Sequence, residues 1–266
     1  MDALTNHDIL VAFLLTMIAG LSTGIGSVIS ILAKRTNTKF LSIALGLSAG
    51  VMIYVSFMEL MPEAVKQLCE SFSERTANIY MLLAFFGGIG IIALIDEMVP
   101  EDENPHEVHL LNDPDQHKRL KRTGVMMAMA IGIHNFPEGL ATFASALNDV
   151  EMAIPIVVAI AIHNIPEGIA VSVPIYHATG SKKKAFWYSF LSGMAEPIGA
   201  TIGFLFLLPI WTPEINALLL SLVSGIMVYI SFDELLPNTE RYGHHHWGVA
   251  GIILGMALMA GSLLFM

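Results

Sequence analysis

The sequence predicts an all-α polytopic membrane protein with eight transmembrane helices, on three observations. Of its 266 residues, 55% are hydrophobic and only 14% charged, with a mean hydropathy of +0.66; a soluble domain carries nearer a quarter charged residues. The charges are spaced so that the intervals between them match the roughly 20 apolar residues that cross a bilayer. Those intervals do not alternate in polarity, which excludes a β-barrel. A single cysteine, Cys69, excludes an intrachain disulfide framework and a thiolate metal cluster. A net charge of −10 and a pI of about 5.4, with basic residues only in short loops, argue against a nucleic-acid partner.

Taken in order, five stretches carry no Asp, Glu, Lys or Arg: residues 9–33, 40–58, 76–95, 215–232 and 242–266. Three more, 123–148, 152–181 and 185–213, are long enough to span and hold one acid each, Glu138, Glu167 and Glu196. Numbering the connections in order, Lys34, Arg35 and Lys39 fall in the first, Lys118, Arg119, Lys121 and Arg122 in the third, Lys182, Lys183 and Lys184 in the fifth, and Arg241 in the seventh. The even connections hold only Lys66 and Arg75. Basic loops stay in the cytoplasm, so both termini are expected to be extracytoplasmic. Residues 1–8 lack the basic n-region of a cleaved signal peptide, and the first span is expected to be retained.

The chain reads as one transmembrane transporter domain, residues 1–266, interrupted by an acidic cytoplasmic connection at 96–122. That connection is expected to be mobile, because its composition cannot bury a core. It carries His106, His109 and His117, and the seventh connection carries His244, His245 and His246 beside Trp247. Both groups read as solvated linker residues or as weak cytosolic metal-capture sites.

Internal repeats carry the functional argument. Residues 50–62 match 225–237, with Tyr54, Ser56, Phe57, Glu59, Leu60 and Pro62 aligned to Tyr229, Ser231, Phe232, Glu234, Leu235 and Pro237. Residues 20–26 resemble 193–199, with Thr23 in the place of Glu196, and residues 134–139 reappear at 163–168 as His-Asn-x-Pro-Glu-Gly. Spans one to three thus pair with six to eight, and four with five, always between helices of opposite direction. Inverted repeats of this kind place a substrate site near the membrane midplane on interrupted helices.

In each hexapeptide, His and Glu stand four residues apart on one helix face. The proline removes one backbone hydrogen bond and crowds the carbonyl four residues back, Ile133 for Pro137 and Ile162 for Pro166. Ionisable groups at mid-membrane depth are costly unless paired or bound to an ion. A divalent cation accounts for them together, with His134, Asn135, Glu138, His163, Asn164, Glu167 and Glu196 as candidate ligands, and two metals could share the glutamates. Imidazole with carboxylate suits Zn(II), Fe(II), Mn(II) or Co(II) better than Cu(I), Mg(II) or Ca(II). Zinc needs four ligands, which His163, Glu138, Glu167 and either His134 or a water would supply. These metals are cargo, and no resident cofactor is expected. Metal must displace protons from such ligands, so uptake is expected to weaken in acid. Glu59, Asp233 and Glu234 read as interfacial residues, although their symmetry suggests an outer entrance at Glu59 and an inner exit at Glu234.

The paired hexapeptides, the eight spans with both ends outside and the His-bearing third connection resemble the ZIP (Zrt/Irt-like) metal transporter family, most closely its prokaryotic branch. The resemblance covers the whole chain. It implies zinc uptake into the cytoplasm across the cell membrane, with iron, manganese and cobalt as further substrates, through a binuclear site. It places zinc at Glu138, His163 and Glu167, with His134 an additional candidate. An iron-type position falls at Asn135, Glu138, Asn164, Glu167 and Glu196, and homodimerisation is a further implication. The competing class is a metal-dependent membrane enzyme, a di-metal oxidase or protease. A protease of the His-Glu-x-x-His type lacks its signature here, and an oxidase gives no reason for inverted pairs of outer helices. A metal-sensing receptor would need an output domain, and none is recognisable.

Overall fold

The computed structural model describes residues 5–32, 38–97, 116–148, 150–207, 212–241 and 243–264. Within these residues the regular structure is entirely helical and forms eight rods. They are α1 (Asn6–Leu32), α2 (Thr38–Leu68), α3 (Glu74–Glu97), α4 (Gln116–Asn148), α5 (Val150–Thr179), α6 (Lys182–Gly193, continued by Ala195–Ile202 and Gly203–Leu207), α7 (Pro213–Ile230, continued by Ser231–Leu235 and Leu236–Arg241) and α8 (His245–Leu263). Among the described residues, six helices, α1, α2, α3, α6, α7 and α8, are long and apolar enough to cross a membrane. The remaining two, α4 and α5, contain 33 and 30 residues. At 1.5 Å per residue, either exceeds a hydrocarbon core of about 30 Å.

Several element ends differ from the sequence reading. Asp96 and Glu97 close α3, and residues 116–122 open α4, so the expected 96–122 connection is helical at both ends. The segment 116–122 is rich in straight-chain Lys, Arg, Leu and Gln, which favour helix, and it extends α4 past its apolar part. The interval 98–115, with His106 and His109, lies outside the described residues. Helix α2 also continues beyond residue 58, and α7 beyond 232, each through one π-helical turn, Ser56–Leu60 and Ser231–Leu235. These turns are equivalent in the repeat, and each ends just before a proline. Pro62 and Pro237 lack an N–H, and their rings crowd the carbonyls of Met58 and Asp233, so the preceding turn widens while the helix goes on. In α6 the same crowding by Pro197 falls on Gly193, where the first segment of that helix ends.

The rods pack as two intermeshed groups. α1, α4, α5 and α6 contact one another extensively, while α2 packs on α8 and α3 on α7; α2 meets α5, and α4 meets α7. Exchanging one with six, two with seven, three with eight and four with five maps this set of contacts onto itself. The correspondence extends to single glycines. A Cβ on Gly26 would strike the Ile165 carbonyl, and one on Gly199 the Phe136 carbonyl; one on Gly168 would strike Thr23, and one on Gly139 Glu196. Gly50 against Ile252 is matched by Gly225 against Phe85, and Gly255 against Leu47 by Gly88 against Leu222. Gly20 and Gly193 face each other's carbonyls, where the two halves meet.

Polarity is reversed relative to a soluble bundle. Thr16, Ser22, Thr23, Ser27 and Ser30 of α1 are buried, whereas Leu10, Ile18 and Ile25 of the same helix are exposed. Phe86 and Leu94 of α3 and Ile253 and Leu254 of α8 are also exposed. Exposed apolar surface on this scale needs a nonaqueous neighbour. The buried hydroxyls close contacts inside and between helices: Ser30 Oγ lies 2.5 Å from Ser172 Oγ, and Ser189 Oγ donates to the Gly168 carbonyl at 3.1 Å.

The glycine contacts make a paired prediction. Gly88→Ala should lower the thermal midpoint of the purified protein in detergent by an amount corresponding to about 1–3 kcal/mol of overpacking. Gly87→Ala, whose Cβ would meet nothing within 4 Å, should leave the midpoint unchanged or raise it, because alanine is the better helix former.

Candidate metal centre

Helices α4 and α5 carry the two His-Asn-x-Pro-Glu-Gly segments at their mutual contact. His134, Asn135, Glu138, His163, Asn164 and Glu167 are all buried, as is Glu196 of α6. The four-residue spacing puts His and Glu of one helix on one face, and the closest approaches run between helices. His134 Nε2 lies 2.9 Å from Glu167 Oε1, and His163 Nε2 lies 3.0 Å from Glu138 Oε1. Within a helix the corresponding separations are 3.9 Å for His134 and Glu138 and 4.0 Å for His163 and Glu167. The hexapeptides are therefore cross-paired, each imidazole nearest the carboxylate of the other helix.

These contacts have ion-pair distance without hydrogen-bond geometry. Both imidazole Nε2 atoms, both Glu167 oxygens and Glu138 Oε2 are buried with no hydrogen-bond partner. Donor atoms of His134, His163 and Glu167 lie within 4.8 Å of one another. Ligands about 2.0–2.2 Å from a common zinc ion stand at such separations. Buried polar atoms are normally satisfied, and so dense a group of unsatisfied ones, all of metal-ligating type, suits a cation.

The asparagines and Glu196 form an adjoining part of the site. Asn135 Nδ2 donates to the Ser192 carbonyl at 3.4 Å, and Asn164 Nδ2 donates to the repeat-equivalent Ala19 carbonyl at 3.0 Å. Each amide is tied down through its N–H, leaving Oδ1 buried without a partner. Asn164 Nδ2 also donates to Glu196 Oε1, while Glu196 Oε2 has no hydrogen-bond partner. The arrangement can offer carboxylate and amide oxygens to a second, harder cation beside the imidazole-bearing position.

All seven residues expected from the sequence are thus brought into one buried region. Glu59, read from the sequence as interfacial, lies in the π turn of α2, partly buried, with Oε2 enclosed and lacking a hydrogen-bond partner. Two hydroxyls that the sequence reading did not single out as ligands, Thr23 Oγ1 and Thr142 Oγ1, are buried without partners, Thr142 one turn beyond Glu138. Alignment of Thr23 with Glu196 signalled the first, but Thr142 falls opposite Val171 in the repeat, so nothing in the repeat pointed to it. His244 Nε2 lies 3.0 Å from Thr38 Oγ1, and the His245 and His246 rings stand 5.5 Å apart.

The ZIP zinc transporter family model matches residues 5–96 and 96–263. The chain belongs to this family. It is 59% identical to the zinc transporter ZupT of Streptococcus mutans, over 97% of this chain and 98% of that protein. Similar proteins of the same name occur in Akkermansia muciniphila, at 56% identity over 98% of both chains, and Clostridium perfringens, at 54% over 97% of this chain and 96% of that one. Family membership together with the apolar helices makes this a multi-pass protein of the cell membrane.

If the cross-paired groups ligate metal, Glu167→Gln, which keeps the shape and removes the charge, should weaken zinc binding by on the order of 100-fold. Calorimetry on the purified protein would measure it. Glu70→Gln, at an exposed position, should bind as wild type does.

Proposed function

We infer that this protein carries zinc into the cytoplasm, with Fe(II), Mn(II) and Co(II) as further substrates. The observation that carries the reading is the cross-paired set of His134, Glu138, His163 and Glu167, whose unpartnered buried atoms converge on one small volume. The names of the relatives support zinc as the principal cargo, and membership of the family makes the chain a transporter rather than an enzyme.

In this reading the chain is one transmembrane domain of eight spans, α4 and α5 included, with both termini outside. The repeats are inverted about an axis in the membrane plane, and the site lies where the axis passes between α4 and α5. His134, Glu138, His163 and Glu167 ligate zinc. Asn135, Asn164 and Glu196, together with Glu138 and Glu167, supply the oxygen-rich shell that suits a second ion, Fe(II) above all. A carrier needs its site to be reached from either side in turn, and two halves built alike provide two such arrangements of similar energy. The prolines in α4 and α5 loosen the backbone at the ligands, where exchange between the two arrangements has to be absorbed.

Purified protein in sealed liposomes loaded with a metal-sensitive dye tests this. Wild-type protein should admit Zn(II) and Fe(II), Glu138→Ala and Glu167→Ala should admit neither, and Glu196→Ala should lose Fe(II) preferentially. Wild-type flux in the Glu138 and Glu167 variants would refute the site. Since each metal ion must displace protons from imidazole and carboxyl groups, zinc flux should also fall between neutral pH and about pH 5.5. A flat profile would remove that coupling.

A further inference from the structure

Glu196 has a counterpart across the contact of α1 with α6, and that counterpart ends in a free hydroxyl. Asn164 Nδ2 donates to the Ala19 carbonyl at 3.0 Å, and a Cβ on the next residue, Gly20, would lie 3.4 Å from Glu196 Cβ. Asn164 and Glu196 thus flank one peptide of α1, and they meet through Asn164 Nδ2 and Glu196 Oε1. Asn135 and Thr23 flank the equivalent peptide of α6. Asn135 Nδ2 donates to the Ser192 carbonyl at 3.4 Å, and a Cβ on Gly193 would lie 2.7 Å from Thr23 Cβ and 2.8 Å from its Oγ1. A threonine therefore stands where the repeat places a carboxylate, on a side chain shorter by a methylene and a carboxyl carbon. Its hydroxyl is free for a local reason. Thr16, Ser22 and Ser30 of α1 donate to carbonyls of their own helix, the usual recourse of a helical hydroxyl. The Ala19 carbonyl, one turn before Thr23, already accepts from Ser22 Oγ at 2.6 Å and from Asn164 Nδ2. Thr23 is fully buried and its Oγ1 has no hydrogen-bond partner, which is costly for a hydroxyl kept from water.

We propose that Thr23 is a specificity-determining residue: its hydroxyl holds a water ligand of the harder cation, in the place that mirrors the Glu196 carboxylate. This rests on the oxygen-rich position proposed above, whose protein donors are Asn135, Glu138, Asn164, Glu167 and Glu196. Mn(II) favours an octahedral shell of oxygens, one donor more than these residues supply. The water fills that place, bound to the ion through its oxygen and donating to Thr23 Oγ1. It spans the distance that the shorter side chain leaves, and a bridging water is nearly as favourable as a direct hydrogen bond. Zinc is satisfied by four ligands and does not use this water. Thr23 thereby favours the harder ion without adding charge to a region that already holds three carboxylates.

The test compares full-length wild type, Thr23→Val, Thr23→Ser, Thr23→Glu and Glu196→Gln in detergent. Zinc affinity is measured by calorimetry, Mn(II) is then titrated into the zinc-loaded protein, and the waters on Mn(II) are counted by electron–nuclear double resonance after exchange into heavy water. Valine keeps the shape of threonine without its hydroxyl. Thr23→Val should bind Mn(II) about tenfold more weakly, the effect of losing an outer hydrogen-bond partner of a ligand. Its zinc affinity should stay within about twofold of wild type, since the zinc shell is complete without the water. Thr23→Ser should restore Mn(II) binding, and Thr23→Glu should leave one exchangeable water fewer on Mn(II), its carboxylate taking the place. Unchanged Mn(II) affinity in Thr23→Val would overturn the proposal, as would an equal fall for both ions, which marks a packing role. So would a serine variant as weak as the valine one, or an unchanged water count in Thr23→Glu. Absence of Mn(II) binding to zinc-loaded wild type, or wild-type Mn(II) affinity in Glu196→Gln, would instead overturn the oxygen-rich position itself.

Discussion

Four ionisable side chains enclosed between two helices have to neutralise one another or a guest, and most of this structure follows from that requirement. His134 with Glu167 and His163 with Glu138 form two short crossed contacts between α4 and α5. Breaking one buried pair by removing a partner costs about 3–5 kcal/mol, so the two helices are held at one separation and one register. Each position of the hexapeptide has its own part in this. Histidine and glutamate pair across the helices, and asparagine is anchored through its N–H to a carbonyl of α1 or α6. Glycine lets the same neighbours approach, since a Cβ at Gly139 or Gly168 would strike the Glu196 or Thr23 backbone.

The repeat duplicates every one of these features except Glu196. Its counterpart is Thr23, buried like it but uncharged. The site is therefore symmetric in its imidazole–carboxylate part and lopsided in its oxygen-rich part, because only Asn164 gains a carboxylate neighbour in its own repeat-equivalent contact. In the proposed reading, one imidazole-bearing position and one oxygen-rich position arise from the same fold by a single unmatched side chain.

The surroundings keep this arrangement enclosed. Serine and threonine hydroxyls line the contacts among α1, α5 and α6, while leucine, isoleucine and phenylalanine face outward. Without a hydrophobic drive between helices in lipid, close backbone packing over small residues and interhelical hydrogen bonds hold such a bundle. The glycine–carbonyl contacts supply the first and the hydroxyls the second. Pro137 and Pro166 remove backbone donors at the candidate site, and Pro62 and Pro237 remove them just after the π turns.

The sequence by itself showed the apolar, helical character of the chain, its internal repeats and the seven residues that stand as candidate ligands. Lipid forbids unpaired charge, and the few charges within apolar stretches were therefore conspicuous. What it left undecided depended on distances between segments remote in the chain. Spacing of four placed His134 with Glu138 on one face, but only packing of α4 on α5 made Glu167 the nearer carboxylate, at 2.9 Å against 3.9 Å. Composition made 96–122 look like a loop throughout, whereas helix propensity carried α4 back to Gln116. Charge position placed Glu59 at the end of a span, and the tertiary structure adds that one of its oxygens, in the π turn ahead of Pro62, is enclosed. Periodicity reports which residues share a face, and the tertiary structure decides what that face meets.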